Sequence, residues 1–441
     1  MRFFRQRLSS FQIIIFGFLG VILVGTVLLL LPISTKGSNA SFDQALFTST
    51  SAVCVTGLVV KDTAMYWSAF GQAVILVLIQ IGGLGIITVA AFIAMISGRK
   101  ISLLQRSLLQ DSLSTHQLGG TVKMTGFIFK VALTAEAVGA AVMMPTFCGR
   151  FGMHGVWMSV FHSVSAFCNA GFDIMGDQTG EFSSLSGFTA SPGIVIPICL
   201  LIITGGIGFL TWDDLAAHRH HFRSYRMQTK VVLVTTLILI VVPTAIFVVS
   251  EFSGKPVSER IYLSIFQAVT PRTAGFNTAD IASMSGVGTL VMIVLMLIGG
   301  SPGSTAGGMK TSTIAVLYAN VAAVFERRKS AQLFGRRIED GTIRNAATLF
   351  MMYLSLPMIG ALIISLIEKL PIKTCFFETV SAIGTVGLSL GITPSLSFPS
   401  HLVLILLMFL GRVGGLTLVY AAVNSYHMEP SQRPVEKIIV G

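Results

Sequence analysis

Charge is what this 441-residue chain has least of. Asp, Glu, Lys and Arg make up only 11% of it, against about 25% in soluble proteins. That shortage excludes an ordinary water-soluble enzyme, and the apolar content excludes disordered and collagen-like chains. Cysteine is sparse: five residues, an odd number, with no CxxC pair, so no disulfide framework is indicated. No HExxH, no His/Asp cluster and no nucleophile–base pair stands at membrane depth, which argues against a membrane enzyme. What is abundant is apolar: 53% of residues are hydrophobic and mean hydropathy is +0.80. A polytopic all-α membrane protein remains. At about 20 apolar residues per span, the length allows about eight to ten spans.

Apolar runs lie near 11–33, 70–97, 124–147, 191–212, 230–250, 286–325, 345–367 and 400–424. The first follows Arg2, Arg5 and Arg7, as a signal peptide would, but it is too long for an h-region and is read as a retained span. Eight spans place both termini on one side. Shorter segments at 42–52, 155–168, 257–270 and 372–383 follow the odd-numbered spans. They are too short to cross and read as re-entrant half-helices, the first with Asp43 in an N-cap-like position. With the termini and the loops 98–130, 213–230 and 326–344 on one side, that side holds 20 basic and 8 acidic residues, and the other 8 and 10. The basic side is therefore expected to be cytoplasmic. Glu136, Lys310 and Arg412 are left at membrane depth. The basic clusters 218–226 and 326–330 need no nucleic acid to explain them. His218, His220 and His221 offer a weak metal-binding possibility.

Each half-helix leads into a related segment. These read Ser51-Ala-Val-Cys-Val55-Thr56-Gly57-Leu58, Ser165-Ala-Phe-Cys-Asn169-Ala170-Gly171-Phe172, Val269-Thr-Pro-Arg-Thr273-Ala274-Gly275-Phe276 and Ser381-Ala-Ile-Gly-Thr385-Val386-Gly387-Leu388. The four glycines are 114, 104 and 112 residues apart. A second signature follows each: Ile81-Gly-Gly-Leu-Gly85, Thr204-Gly-Gly-Ile-Gly208, Ile298-Gly299-Gly300-Ser-Pro302-Gly303 and Leu410-Gly-Arg412-Val-Gly-Gly415. Its first glycine comes 24 or 25 residues after the segment's glycine, except in the second copy, where it comes 34 after. Helix packing explains the second set of glycines; it does not explain a glycine after a too-short helix four times. The pattern predicts four copies of span, half-helix, loop and span: residues 1–97, 98–229, 230–344 and 345–425, with a tail at 426–441. Four copies around an axis make a pseudo-fourfold pore.

This arrangement suits a cation. A half-helix ending at mid-membrane aims its negative dipole end at the axis. Irregular backbone at depth must line a wet cavity, where carbonyls replace an ion's hydration shell. Glycine permits the backbone angles this needs. The four motifs carry no ring of carboxylates, which argues against divalent selectivity. On these residues the chain, from about 10 to 425, resembles the KtrB/TrkH/HKT superfamily of K⁺-translocating membrane subunits, most closely its bacterial KtrB branch; the absence of two extra N-terminal helices favours that branch over TrkH. The resemblance implies K⁺ uptake through a cell-membrane homodimer, with Na⁺ as activator and no organic cofactor in this chain. It also implies a cytosolic ring of nucleotide-binding regulatory subunits of KtrA/KtrC type, alongside membrane lipid. It implies that Gly57, Gly171, Gly275 and Gly387 mark the selectivity filter, together with the two residues before each. A serine at the first position marks the Na⁺-preferring plant branch, so Gly57 favours K⁺. Only Gly384-Thr-Val-Gly387 approaches the filter of tetrameric K⁺ channels, which implies weaker selectivity here.

The interruption at 299–312 resembles the family's intramembrane gate loop. Pro302 and Gly299, Gly300, Gly303, Gly307 and Gly308 cannot hold a stable helix there. The stretch Gly303-Ser-Thr-Ala-Gly-Gly308-Met-Lys310-Thr311 nearly spells a P-loop, but Met309 displaces the lysine and no strand precedes it. Lys310 is expected to cap helix C-terminal carbonyls or to pair with an acid. Arg412 resembles the family's pore arginine below the filter, where a charge is costly and functional by default; the structural alternative pairs it with Glu136 or a loop carbonyl. Glu136 is read as structural. Arg272 is expected to pack behind its loop and donate to carbonyls or to Glu378. Competing readings are a Trk-type or Na⁺-permeable transporter of the same superfamily and an unrelated secondary transporter, although the latter typically shows two inverted repeats.

Overall fold

The computed structural model describes residues 9–98, 101, 103–113 and 120–414. Arg2, Arg5 and Arg7, part of the 98–130 loop, the end of the last apolar run from Gly415 and the 426–441 tail lie outside the described residues.

Helices form where apolar runs begin with a cap. Ser9 and Gln12 make a reciprocal capping box at the head of α1 (Ser10–Leu29), and Ser41 and Gln44 do the same for α2 (Phe42–Val53), each pair satisfying two otherwise unpaired N–H groups. The cap of α2 is therefore Ser41. Asp43 sits inside the first turn, and its carboxylate instead meets His401 at 2.9 Å. Helix α3 (Thr63–Tyr66) precedes α4 (Ala69–Leu84) and α5 (Ile86–Ile96), and α6 (Leu103–Leu113) follows. Next come α7 (Thr121–Phe151), α8 (His154–Phe167), α9 (Gly176–Thr179), α10 (Pro192–Gly206) and α11 (Phe209–His218). Beyond these lie α12 (Met227–Ser250), α13 (Val257–Val269), α14 (Gly286–Leu297) and α15 (Thr311–Phe325). The last are α16 (Asp340–Glu368), α17 (Ile372–Gly384) and α18 (Phe398–Val413). The all-α expectation misses a small hairpin in the 326–344 loop, where Gln332–Leu333 pairs antiparallel with Arg336–Arg337.

The apolar runs at 70–97, 191–212 and 286–325 are not single helices. The first two bend by 98° and 94°, at Gly85 (φ +86°) and Gly208 (φ +90°). The third is opened by the irregular stretch between α14 and α15. The opening of the third was expected from its glycines and Pro302; hydropathy carries no record of a positive φ, so the first two read as unbroken. Among the described residues, four helices, α1, α7, α12 and α16, are long and apolar enough to cross a membrane alone; the two bent pairs pass that test only when each is taken together, and α14, α15 and α18 are shorter apolar helices. The long helices leave side chains such as Phe16, Leu23, Leu237 and Leu362 more than half exposed, an outer apolar surface of the kind a membrane or another protein covers.

The core sits around the short helices. In α2 every residue from Phe47 to Val53 is buried, and in α17 every residue from Phe377 to Gly384. Their Ser, Thr and Ala side chains let backbones approach closely.

Candidate functional site

The four segments after α2, α8, α13 and α17 share one backbone pattern. The residue two before each glycine is left-handed: Val55 (φ +56°), Asn169 (+59°), Thr273 (+69°) and Thr385 (+50°). The glycines follow at +90°, +67°, +81° and +89°. For β-branched Val and Thr this conformation costs about 1–2 kcal/mol, so the surroundings must enforce it. Backbone bonds to the preceding helix do so: Thr56 N–H donates to Ser51 O at 2.8 Å, Ala170 to Ser165 at 2.8 Å, Ala274 to Thr270 at 2.9 Å and Val386 to Ser381 at 2.8 Å.

The glycines also join the segments in sequence. A β-carbon added to Gly57 would lie 2.4 Å from Ala170 O, one on Gly171 2.4 Å from Ala274 O, one on Gly275 2.4 Å from Val386 O, and one on Gly387 2.2 Å from Thr56 O. The first segment thus packs on the second, the second on the third, the third on the fourth, and the fourth back on the first. Eight of the twelve residues expected here meet in this succession: the four glycines with Thr56, Ala170, Ala274 and Val386. The Thr56, Thr273 and Thr385 hydroxyls are buried without a hydrogen-bond partner among the described residues. Asn169 is turned away: its amide faces Ala166 O and Ile202 O, and with the nitrogen assigned to that end it donates to them at 3.1 and 3.2 Å.

Sequence reasoning missed the hydroxyls that brace these segments. Ser51 and Ser381 accept from the N–H of Gly57 and Gly387, both at 3.1 Å. Ser165 donates to Phe172 O at 2.7 Å and Thr270 to Phe276 O at 2.6 Å. The signal was present: a serine heads three of the motifs, six residues before the glycine. In the third, Val269 holds that place and Thr270 takes over the role.

On one side of the ring is a cavity of about 320 Å³, lined by the four glycines with Asp62, Asp173, Asn277 and Ser389 among others. Asp62 accepts from the N–H groups of Ala64 and Met65, both at 2.9 Å, and from Phe182 at 2.8 Å, so one carboxylate ties two outer loops. Burial pushes Asp173 up to about 7, and the neighbouring Asp62 adds to the shift.

On the other side lies the loop between α14 and α15. Ser301 N–H donates to Gly206 O at 2.9 Å, Thr305 to Gly205 O at 3.2 Å and Gly308 to Gly411 O at 3.3 Å. Gly307 abuts Thr385, where a β-carbon would lie 2.1 Å from its hydroxyl; at Gly308 one would lie 2.8 Å from Gly384 O. Gly299 and Gly300 are buried within the loop. Gly208 packs against the carbonyl of Pro302, and Gly303 O accepts from Phe209 N–H at 2.8 Å. A second cavity, of about 240 Å³, is lined by Gly83, Gly303, Ser304, Lys310 and Arg412 among others. Arg412 donates to Thr305 O and Gly82 O, and to Gly83 O at 3.0 Å. Lys310 reaches neither a helix end nor an acid. It donates to Ala306 O at 2.8 Å and Gly307 O at 3.4 Å within its own loop.

Of the two structural partners open to Arg412, the structure shows the loop carbonyl: Glu136 receives Gln80 Nε2 at 3.0 and 3.2 Å, and Arg412 donates to Thr305 O. Arg272 is buried and donates to Thr236 at 3.3 Å; it does not meet Glu378, which accepts from Ser389 at 2.5 Å, Leu390 N–H at 3.0 Å and Thr393 at 3.0 Å. Arg272 instead points outward to α12. His218 sits 3.1 Å from the Asp214 carboxylate, a local tie at the end of α11.

Residues 4–432 match the family model TrkH, described as a cation transport protein. The chain is 39% identical to the potassium/sodium uptake protein NtpJ of Enterococcus hirae, over 99% of this chain and 98% of that protein. It is 38% identical to the Ktr system potassium uptake protein B of Bacillus subtilis, over 94% and 93%. Its fold matches the crystal structure of the potassium transporter TrkH from Vibrio parahaemolyticus with a TM-score of 0.77 at 18% identity, over 96% of this chain and 87% of that one. This is a multi-pass membrane protein of a transport family, not an enzyme, and the chain belongs to the TrkH family of cation transport proteins.

Proposed function

We propose that this chain is a K⁺ uptake subunit of the KtrB type, conducting through the ring of Gly57, Gly171, Gly275 and Gly387. The closed succession of glycine contacts, with a left-handed residue two before each glycine, carries the reading. Alternating backbone handedness turns successive carbonyls to one side, where they replace an ion's hydration shell. The short helices end at the ring with their negative dipole ends. The four segments belong to four copies of one unit, 1–97, 98–229, 230–344 and 345–425, around a pseudo-fourfold pore.

The 298–310 loop is the gate in this reading. Its tip abuts Thr385, and Arg412 and Lys310 hold it through backbone carbonyls alone. A charge at this depth sets a barrier to a permeating cation. A homodimer in the cell membrane, termini in the cytoplasm, a cytosolic nucleotide-binding ring and Na⁺ activation complete the proposal; the E. hirae and B. subtilis relatives support its K⁺ part.

The test is K⁺ uptake at low external K⁺ in a host without its own uptake systems, with and without Na⁺, alone and with a regulatory subunit. Rescue with the subunit supports the reading; failure in both arms overturns it. A Na⁺-permeable transporter is the second reading, favoured by the three segments that depart from Thr-Val-Gly. Na⁺ failing to compete with K⁺ would remove it.

A further inference from the structure

The basic segments 218–226 and 326–337 lie far apart in sequence, and the fold makes one surface of them. Phe222 and Phe334 join them, ring centroids 6.4 Å apart and edge to face, and Lys230 stands 5.8 Å above the Phe222 ring. The hairpin is fixed to α15. Ala331 and Ile338 are buried with Ala319 and Ala323 of that helix, and Ile338 N–H donates to Ala331 O at 2.9 Å. Its two-residue turn is Phe334-Gly335, both at positive φ, +49° and +74°. Such a turn ordinarily takes Asn-Gly, and a bulky side chain is strained there. The position nevertheless holds an aromatic ring that is 46% exposed, beside Phe222 at 44%.

Cations surround the two rings. The two segments together hold eight arginines and lysines and one acid, Glu326. Arg226, Arg328 and Arg337 have carboxylate partners in Asp214, Glu326 and Asp340. Arg219, Arg223, Arg327, Lys329 and Arg336 are exposed, and among the described residues none of them meets a carboxylate.

The height of this surface fits a membrane interface. Helix α15 has 15 residues, about 22 Å at 1.5 Å each, and starts from the loop beneath the ring, near mid-depth. Half a bilayer with its headgroups measures about 20–22 Å, so the helix delivers Arg327, Arg328 and Lys329 to headgroup level. Helix α12 has 24 residues, about 36 Å, which exceeds the hydrocarbon core of about 30 Å. Its first turn therefore emerges from the core beside Arg226. Directly below the cations the outward sides are apolar: Tyr318, Val324 and Phe325 on α15, and Leu237, Ile238 and Val241 on α12, are all more than half exposed.

We propose that this surface binds the headgroups of anionic phospholipids in the leaflet it faces. Arginine supplies forked N–H donors to a phosphate, the two rings insert at the interface, and the apolar sides of α12 and α15 receive the acyl chains. That apolar continuation below the cations favours a lipid over an acidic protein. Helix α15 begins where the 298–310 loop ends, so the lipid anchors the helix that carries the loop. The proposal stands apart from the filter reading, and its test needs no ion transport.

The test is a titration of the purified full chain in dodecyl maltoside with dioleoylphosphatidylglycerol, and with dioleoylphosphatidylcholine as the neutral comparison. Bound lipid is counted by native mass spectrometry. Wild type, Arg223→Gln/Arg336→Gln, Phe334→Asn and Lys123→Gln/Lys130→Gln are compared, each checked by size-exclusion profile. Lys123 and Lys130 are exposed at the head of α7, outside the patch and on the same side in the proposed topology, so their loss changes net charge equally. Wild type is expected to prefer phosphatidylglycerol. The arginine pair is expected to bind it about thirtyfold more weakly, the scale of two cations near a membrane surface, with phosphatidylcholine unchanged. Phe334→Asn suits the turn, and is expected to fold and to lose about three- to tenfold, the scale of one aromatic pair. Lys123→Gln/Lys130→Gln is expected to keep the wild-type affinity. Equal binding of the two lipids by wild type overturns the proposal whether or not the variants fold. So does an equal loss in both charge pairs, which is general electrostatics and not a site. Wild-type affinity in a folded arginine pair overturns it too, and leaves the surface to an acidic protein.

Discussion

The guanidinium of Arg412 donates to the carbonyl oxygen of Thr305, which lies 107 residues earlier in the chain. The same side chain reaches Gly82 and Gly83, so one cation ties the irregular loop to the end of α18 and to α4. A hydrogen bond from a charged donor contributes about 1.5–3 kcal/mol. Arg412→Ala is expected to free the loop and raise K⁺ flux by about tenfold, the effect of roughly 1.4 kcal/mol. Rb⁺ uptake checks this, with size-exclusion to establish folding. A folded variant with wild-type flux would remove Arg412 from gating.

Deleting residues 304–308 removes the N–H donors of Thr305 and Gly308 that bond Gly205 and Gly411, and takes Gly307 away from Thr385. Flux is expected to rise, by more than in Arg412→Ala, because the obstruction itself is gone. Unaltered flux in a folded deletion would retire the loop as a gate.

Gly57→Ser and Gly387→Ser each meet two obstacles. The backbone stands at φ +90° and +89°, and the new β-carbon lies 2.4 or 2.2 Å from the next segment's carbonyl. One quarter of the ring must move. K⁺/Na⁺ discrimination is expected to fall about tenfold, the scale of the 1–2 kcal/mol of left-handed strain alone. Ion competition in uptake assays reads it directly, and an unchanged ratio in both variants would count against the filter assignment.

Asp173 gives a pH dependence. Its folded value of about 7 stands above its ordinary 3.8, because burial disfavours the charged form. Its contribution to stability is complete below about 3.8 and is lost as pH rises through about 7. Asp173→Asn is expected to flatten the fall in melting temperature between pH 5 and 8. An identical slope in variant and wild type would show that Asp173 does not titrate there.

Much of the site was legible because its requirements are local. A glycine where φ is positive and space is absent leaves no other residue type, and four of them after too-short helices reveal themselves by spacing. The left-handed residues before them do not. Val55 and Thr385 are β-branched and ordinarily avoid that region; only the bonds from Thr56 to Ser51 and from Val386 to Ser381 explain them. The charged Asp43 reads as a cap, but Ser41 takes that place, and the partner that occupies Asp43, His401, lies at the far end of the chain.

The sequence by itself determined that the chain is a membrane protein, where its short helices fall and that a glycine follows each of four of them. Each of these follows from hydropathy, length and backbone freedom, which are properties of a few neighbouring residues. The tertiary structure decided where the apolar runs bend, at Gly85 and Gly208, since a positive φ leaves no trace in hydropathy. It also decided that Arg412 serves Thr305 and not Glu136, that Arg272 turns to Thr236 and not Glu378, and that Lys310 closes on its own loop. A buried cation must find acceptors, but which ones it finds depends on distances across the packed ring, and those are set only when all four segments have come together.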